Sequence, residues 1–174
     1  MARFSEAALR VRKRVGTAAV DGFFNGAARI AKLHPRANPA SHGVEHLTDF
    51  RYLEGSTTKS HLLDVWRPLP KPDAKPGLLP IVFYIHGGGF RILSKDTHWI
   101  MGLGFARRGY LVFNVSYQLS PEHRFPAAIE DVCEAFKWMA DNAKRFGGDT
   151  SRVVLAGDYA GANLATSLAI ALAY

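Results

Sequence analysis

Ala156-Gly157-Asp158-Tyr159-Ala160-Gly161-Ala162-Asn163 follows a β-branched apolar run, Val153-Val154-Leu155, and opens a helix of small residues. Strand, tight turn and helix in that order form a nucleophile elbow, in which one side chain is held out on a strained bend. Glycines at 157 and 161 flank the bend because neighbouring backbone must pass very close to it. At the centre, where such a bend carries a serine, this chain has Tyr159. The stretch therefore predicts a scaffold for acyl chemistry and also an obstacle to that chemistry.

Working outward, the runs Leu79–Ile85, Tyr110–Val115 and Arg152–Ala156 are continuous and apolar, the pattern of strands covered on both faces. Helical patterns lie between them, over Asp96–Arg108 and Ala127–Phe146, and a further helix runs from Ala160 to the last residue, Tyr174. Alternation of this kind predicts parallel pairing and an α/β sheet. His46–Leu53 and His61–Trp66 read as short strands joined at a turn, Gly55-Ser56-Thr57-Thr58. Arg67 to Gly77 holds Pro68, Pro70, Pro72 and Pro76 and reads as an extended surface connection. Residues 1–33 read as one or two helices broken near Gly22 and Gly26, followed by a linker from His34 to Gly43.

A second motif leaves the strand ending at Ile85: His86-Gly87-Gly88-Gly89-Phe90. Consecutive glycines have nothing to pack, and ordering them costs backbone entropy. They suit a place where main-chain N–H groups face a cavity that a ligand must enter, the requirement of an oxyanion hole.

These two motifs, with Tyr117-Gln118-Leu119-Ser120-Pro121-Glu122-His123-Arg124-Phe125-Pro126-Ala127-Ala128 between them, resemble the hormone-sensitive-lipase family of α/β-hydrolases. That family includes the bacterial family IV esterases and the arylacetamide-deacetylase-like enzymes. The likeness runs from about Leu62 to the end, in the family's order and spacing. It implies an α/β-hydrolase fold, of which this chain is the N-terminal portion: a mostly parallel sheet flanked by helices. Residues 1–45 would be cap helices and linker, and 46–174 the N-terminal part of the catalytic domain. The implied activity is carboxylic ester hydrolysis through an acyl-enzyme, on a small-molecule ester, with no cofactor and no metal. By the same likeness Gly88, Gly89 and Ala160 would offer oxyanion N–H donors, and position 159 is the nucleophile's seat. Asp158 would hold the oxyanion loop, with Gly87 within it and His86 bracing it. Glu122 and His123 would fix the turn into the following helix.

Two departures bear on activity. A phenol oxygen lies past a rigid ring, several ångströms beyond a serine hydroxyl, so Tyr159 would overshoot a carbonyl held at those amides and its ring would fill the acyl or alcohol pocket. In addition, the acid and base of this fold follow the nucleophile, whereas no Asp, Glu or His follows Tyr159 and all seven histidines precede it. The reading is an esterase scaffold inactive in this form; the alternative is a non-catalytic small-ligand-binding protein on the same scaffold. The strand Val153–Ala156 is predicted to lack an outer neighbour and the helix after Ala160 is apolar almost all round. Both predict a partner, either a missing C-terminal half or a second copy covering the sheet edge.

Composition narrows the remaining classes. At 48% apolar, 174 residues can build one core. The single cysteine, Cys133, sits on an apolar helical face with Ile129, Val132 and Phe136; it excludes an internal disulfide and suits a cytoplasmic protein. Within residues 1–36 eight cations stand against Glu6 and Asp21, a net +6. A basic surface helix, a transit peptide and a nucleic-acid patch compete for that segment. Phe4, Ala8, Val11 and Val15 recur at helical spacing, which favours an amphipathic helix with a solvated cationic face. Basic residues interleaved with aromatics, the mark of a nucleic-acid groove, are missing. Stable membrane insertion is not expected, since no apolar run reaches the ~18 residues a span needs.

Overall fold

A computed structural model describes residues 2–70 and 77–174, excepting the side chains of residues 2–10, 13 and 14. Phe4 and Ala8, and the prolines at 72 and 76, lie outside that description. Five strands form one sheet: β1 (Val44–Arg51), β2 (Leu62–Pro68), β3 (Leu79–Ile85), β4 (Leu111–Val115) and β5 (Gly148–Gly157), in the order β1-β2-β4-β3-β5. β3 pairs in parallel with both β4 and β5, whereas β2 runs antiparallel to β1 and β4. Parallel neighbours need crossovers, and helices α2 (Trp99–Ala106) and α3 (Ala127–Asn142) supply them. This is the α/β-hydrolase fold that the sequence predicts.

The alternation within β3 sets the layers. Ile81, Phe83 and Ile85 point to one face, where Val132, Ala135 and Met139 of α3 meet Leu164 and Leu168 of α4 (Ala160–Ala173). Val82 and Tyr84 point to the other face, onto Trp99, Leu103 and Ala106 of α2. Both faces of the central strands are thereby buried, which is why these runs read as unbroken apolar sequence. β5 ends the sheet, with Val154 half-exposed; Ile170 and Leu172 of α4 are also open to solvent.

The structure corrects several expectations. α1 is a single helix, Ala2–Lys32, not broken at Gly22 or Gly26. Nothing crowds either glycine, and each lowers helix stability by only ~1 kcal/mol, which a long helix absorbs. The cations Arg12, Arg29 and Lys32 of α1 are solvated, but the apolar stripe is not buried opposite them: Val11 and Val15 are exposed too, and the half-buried residues of α1 include Thr17, Asp21 and Asn25. The carboxylate of Asp21 fixes this orientation by accepting from the Leu93 N–H at 2.9 Å. The linker after α1 is two short 3₁₀ turns, capped by the side chains of His34 and Asn38. α2 is shorter than predicted because Ser94 and Thr97 close turns that delay its start. α3 gives way to a 3₁₀ turn, Ala143–Phe146, before left-handed Gly147.

Candidate active site

Register brings the two motifs together. Ile85 of β3 lies opposite Gly157 of β5, so the chains leaving both strands emerge side by side at the same end of the sheet. The elbow packs against the outgoing β3 backbone so closely that a Cβ at Gly161 would lie 2.0 Å from the Ile85 carbonyl oxygen. Tyr159 sits between Asp158 and α4 with φ 48 and ψ −113, a backbone region sparsely populated for any residue with a side chain. The bend is stabilised by α4, whose Gly161 and Ala162 N–H groups donate to the Asp158 carbonyl at 2.7 and 3.3 Å.

Asp158 is the tie between the two loops. Its Oδ1 accepts from the Gly87 N–H at 2.9 Å and from the Tyr84 hydroxyl at 2.8 Å. His98 Nε2, from the turn before α2, lies 3.5 Å from the same oxygen. Burial, and then the Asp158 carboxylate, push the Tyr84 phenol well above its ordinary range, so it remains a donor. Gly88 follows with φ +115, and a Cβ there would lie 2.1 Å from the Ile92 carbonyl oxygen. The Arg91 and Ile92 N–H groups close a turn onto the Gly88 carbonyl. Among the described residues, the N–H groups of Gly88, Gly89 and Ala160 donate to no protein acceptor.

His86 is fully buried, its ring stacked on Tyr117 at 4.3 Å between centroids. Burial lowers its pKa to about 4, so the ring is neutral at neutral pH. Nδ1 lies 2.6 Å from the Gly87 carbonyl, which can only accept, so Nδ1 carries the proton. The Tyr117 hydroxyl donates to the His86 carbonyl at 2.8 Å. A neutral ring donating to its own loop is suited to bracing rather than to carrying protons.

No described residue encloses the ring of Tyr159, contrary to the expectation that it fills the acyl or alcohol pocket. The residue is 90% exposed, because the elbow turns it outward from the sheet and nothing among the described residues rises beside it. Sequence reasoning also missed Tyr84, Tyr117 and His98. Tyr84 read only as an apolar strand residue, Tyr117 only as the start of the stretch between the two motifs, and His98 as one of several scattered histidines. Glu122 and His123 are exposed; His123 contacts the Gln118 amide at 2.9 Å, within the turn that leads to α3. Lys95 was missed too. Its ammonium is buried between Asp64, at 2.9 Å, and Asp49 and Asp96. Burial opposes that charge, but Asp64 first and then Asp49 and Asp96 outweigh it and raise the Lys95 pKa.

A strained elbow set against a triple-glycine loop at the carboxyl end of a parallel sheet defines an α/β-hydrolase. Residues 82–174 match a family model described as alpha/beta hydrolase fold, and the chain belongs to that family. Its relatives of this type are esterases. It is 34% identical to carboxylesterase NlhH of Mycobacterium tuberculosis, over 87% of this chain and 46% of that one. It is 37% identical to ethyl acetate hydrolase of Pseudomonas putida, over 68% of this chain and 37% of that one. Among solved structures, esterase LipW from Mycobacterium marinum superposes with a TM-score of 0.70 at 33% identity, over 88% of this chain and 46% of that one. The chain thus spans about half the length of the relatives it matches.

Proposed function

We propose that the site is a carboxylic ester hydrolase centre in which the N–H groups of Gly88, Gly89 and Ala160 form the oxyanion hole, and that with tyrosine at 159 it does not turn over esters. One observation carries this reading: the carboxylate of Asp158, beside the elbow, holds the Gly87 N–H at 2.9 Å, which joins the glycine loop to the nucleophile's seat. Donors fixed in this way before a substrate arrives need no reorganisation as charge develops on a carbonyl oxygen. A serine at 159 would place its oxygen one bond from Cβ at the apex of the bend; the phenol of Tyr159 points into solvent instead. On this reading α1 and the turns after it are a cap. The free edge of β5 receives a further strand, from the portion that relatives possess or from a second copy, and this also shields Ile170 and Leu172 of α4. Cys133, the single free thiol, is in keeping with a reducing cytoplasm.

Single-turnover release of nitrophenolate from nitrophenyl acetate tests the assignment. The chain itself should show no burst. Tyr159→Ser should release about one equivalent at a rate at least ~10-fold above the parent, since an oxyanion hole without a full triad retains part of its effect. Gly88→Ala should cancel that gain. A silent Tyr159→Ser variant, with a parent that binds small carboxylates at the same amides, would move the assignment to a non-catalytic binding protein. Tyrosine in place of the nucleophile's serine is the observation that favours this second reading.

A further inference from the structure

The turn between β1 and β2 gathers a second set of polar groups at the end of the sheet where the elbow lies. β2 runs antiparallel to β4 with Leu63 opposite Val115, so the start of β2 meets the end of β4. Both β1 and β2 lie on the side of the sheet away from the free edge of β5. Thr58 caps the 3₁₀ turn Lys59–His61 by accepting from the Ser60 N–H, and this turn brings the His61 ring back onto Ser56. Ser56 Oγ and His61 Nδ1 lie 2.6 Å apart. At the far side of the ring, Nε2 lies 3.1 Å from Oδ1 of Asp131 on α3. His61 and Asp131 are both buried.

Chemistry fixes the direction of each hydrogen bond. Oδ2 of Asp131 accepts from the Gln118 N–H at 2.7 Å, as a carboxylate does. A carboxylate only accepts, so Nε2 of His61 carries the ring proton. Nδ1 keeps its lone pair, and the Ser56 hydroxyl donates to it. A hydroxyl, an imidazole able to take its proton and a buried carboxylate holding that tautomer are the parts that activate a serine. The two ring nitrogens are exchanged relative to the commoner arrangement, which leaves the path of the proton the same. The Thr58 N–H donates to Oγ at 3.3 Å and favours negative charge developing there. Tyr52, its hydroxyl tied to the Ser60 and Ser116 carbonyls, packs beside the His61 ring and holds it in place. Ser56 itself is half-buried, and Gly55 next to it has nothing within 4 Å of the position of a Cβ. Glu54 and Gly55 border a cleft of about 590 Å³ against Lys137 and Trp138 of α3.

We propose that Ser56 is a second nucleophilic serine, with His61 as its base and Asp131 as the positioning residue, and that it accepts an acyl group from an activated ester. Oγ bonds to the ester carbonyl carbon as the hydroxyl proton passes to Nδ1. The bond from that carbon to the leaving oxygen then breaks. An aryl ester leaves as its phenolate, the acyl group stays on Ser56, and the imidazolium returns its proton to water. The proposal is independent of the chemistry at position 159.

Incubation of the 174-residue chain with nitrophenyl acetate, followed by peptide mass spectrometry, tests it. General-base activation is worth roughly 10²–10⁴-fold, less than when an oxyanion hole acts with it, so acetyl accumulates slowly on Ser56 rather than in a burst. Ser56 should carry at least ~10-fold more acetyl than Ser60, four residues on and also half-buried. His61→Gln should lower the label on Ser56 to the level of Ser60. Because that change also cuts the tie from the turn to α3, thiol substitution gives a readout with the imidazole in place. At about pH 6, below the ordinary thiol range, iodoacetamide should alkylate the new thiol of Ser56→Cys at least ~10-fold faster than that of Ser60→Cys. Equal label on Ser56 and Ser60, or equal alkylation of the two thiols, overturns the proposal and marks the three groups as a pin between the turn and α3. Label on Ser56 that persists in His61→Gln overturns it too, since the imidazole is then not the base. Label confined to Tyr159 overturns it and contradicts the reading of the elbow as well.

Discussion

The corner where β3 and β5 end and the long helix α1 treat the same residue types in opposite ways. In the corner, glycines stand where backbone touches backbone: Gly161 against the Ile85 carbonyl, Gly88 against the Ile92 carbonyl. In α1, Gly16, Gly22 and Gly26 have no atom within contact range of the position a Cβ would take. Charges differ likewise. Asp158, Asp64 and Lys95 each have two or more protein partners near the corner, whereas Arg12, Arg29 and Lys32 on α1 extend into water. The corner is over-determined by its contacts and α1 is held by few, so substitutions should separate the two in both size and sign.

The largest separation is expected at Lys95. Lys95→Met takes the ammonium from the carboxylate of Asp64, which is 1% exposed and keeps the His46 ring and the Asp49 N–H as partners. Removing one partner of a buried ion pair typically costs about 3–5 kcal/mol, and the two remaining contacts place the expected loss at the lower end, read as a lowered urea midpoint. The equivalent change on α1, Lys32→Met, should leave the midpoint within ~0.5 kcal/mol of the parent. Next comes Gly161→Ala: with the Ile85 carbonyl oxygen 2.0 Å from the added carbon, strand or helix must move. Overpacking against backbone costs about 1–3 kcal/mol or more, and the Tyr159 bend should loosen with it, seen as faster amide exchange at Gly87.

The acid response sharpens the same contrast. Burial raises the Asp64 pKa, but the hydrogen bond from His46 and the charge of Lys95 outweigh it, so the net shift is downward. A lowered folded-state pKa contributes stability that is present above the ordinary carboxylate value and lost as pH falls through the folded one. Asp131, raised chiefly by its burial, works in the opposite sense, so the parent's curve alone mixes the two. The difference between the parent and Asp64→Asn isolates the first. It should be largest near neutrality and shrink below about pH 4, as followed by thermal melts across pH. A difference that stays constant with pH would show that Asp64 is not held as a carboxylate.

How much of this could be read in the sequence follows from the same contrast. Where backbone geometry itself makes the demand, residue identity reveals it: only glycine fits at 88 and 161, and an elbow needs small residues after its apex. The buried strands Leu79–Ile85 and Tyr110–Val115 were legible because both of their faces are covered. Tyr84, Tyr117 and His98 were not, since their roles depend on register and on which strand lies beside which. Lys95 was opaque for a similar reason, as its partners Asp49 and Asp64 come from two other strands. The outward apolar face of α1 could not be found from periodicity, which gives the spacing of a stripe but not the direction it faces.

The smallest effect is the one with the opposite sign. Gly26 lies inside α1 with φ in the ordinary helical range and nothing within 4 Å of the position a Cβ would occupy. Alanine there loses less conformational entropy on folding than glycine and clashes with nothing, so Gly26→Ala should stabilise the helix by about 0.5–1 kcal/mol. Because few tertiary contacts hold α1, the gain should appear less in the global melt than in local protection: slower amide exchange across 20–32 and unchanged exchange at Gly87. Equal slowing at both places would mean that α1 and the corner open as one unit, and the division between them would fail. If α1 alone responds, the helix is a separately stabilised element tied to the site through the Asp21 carboxylate on Leu93.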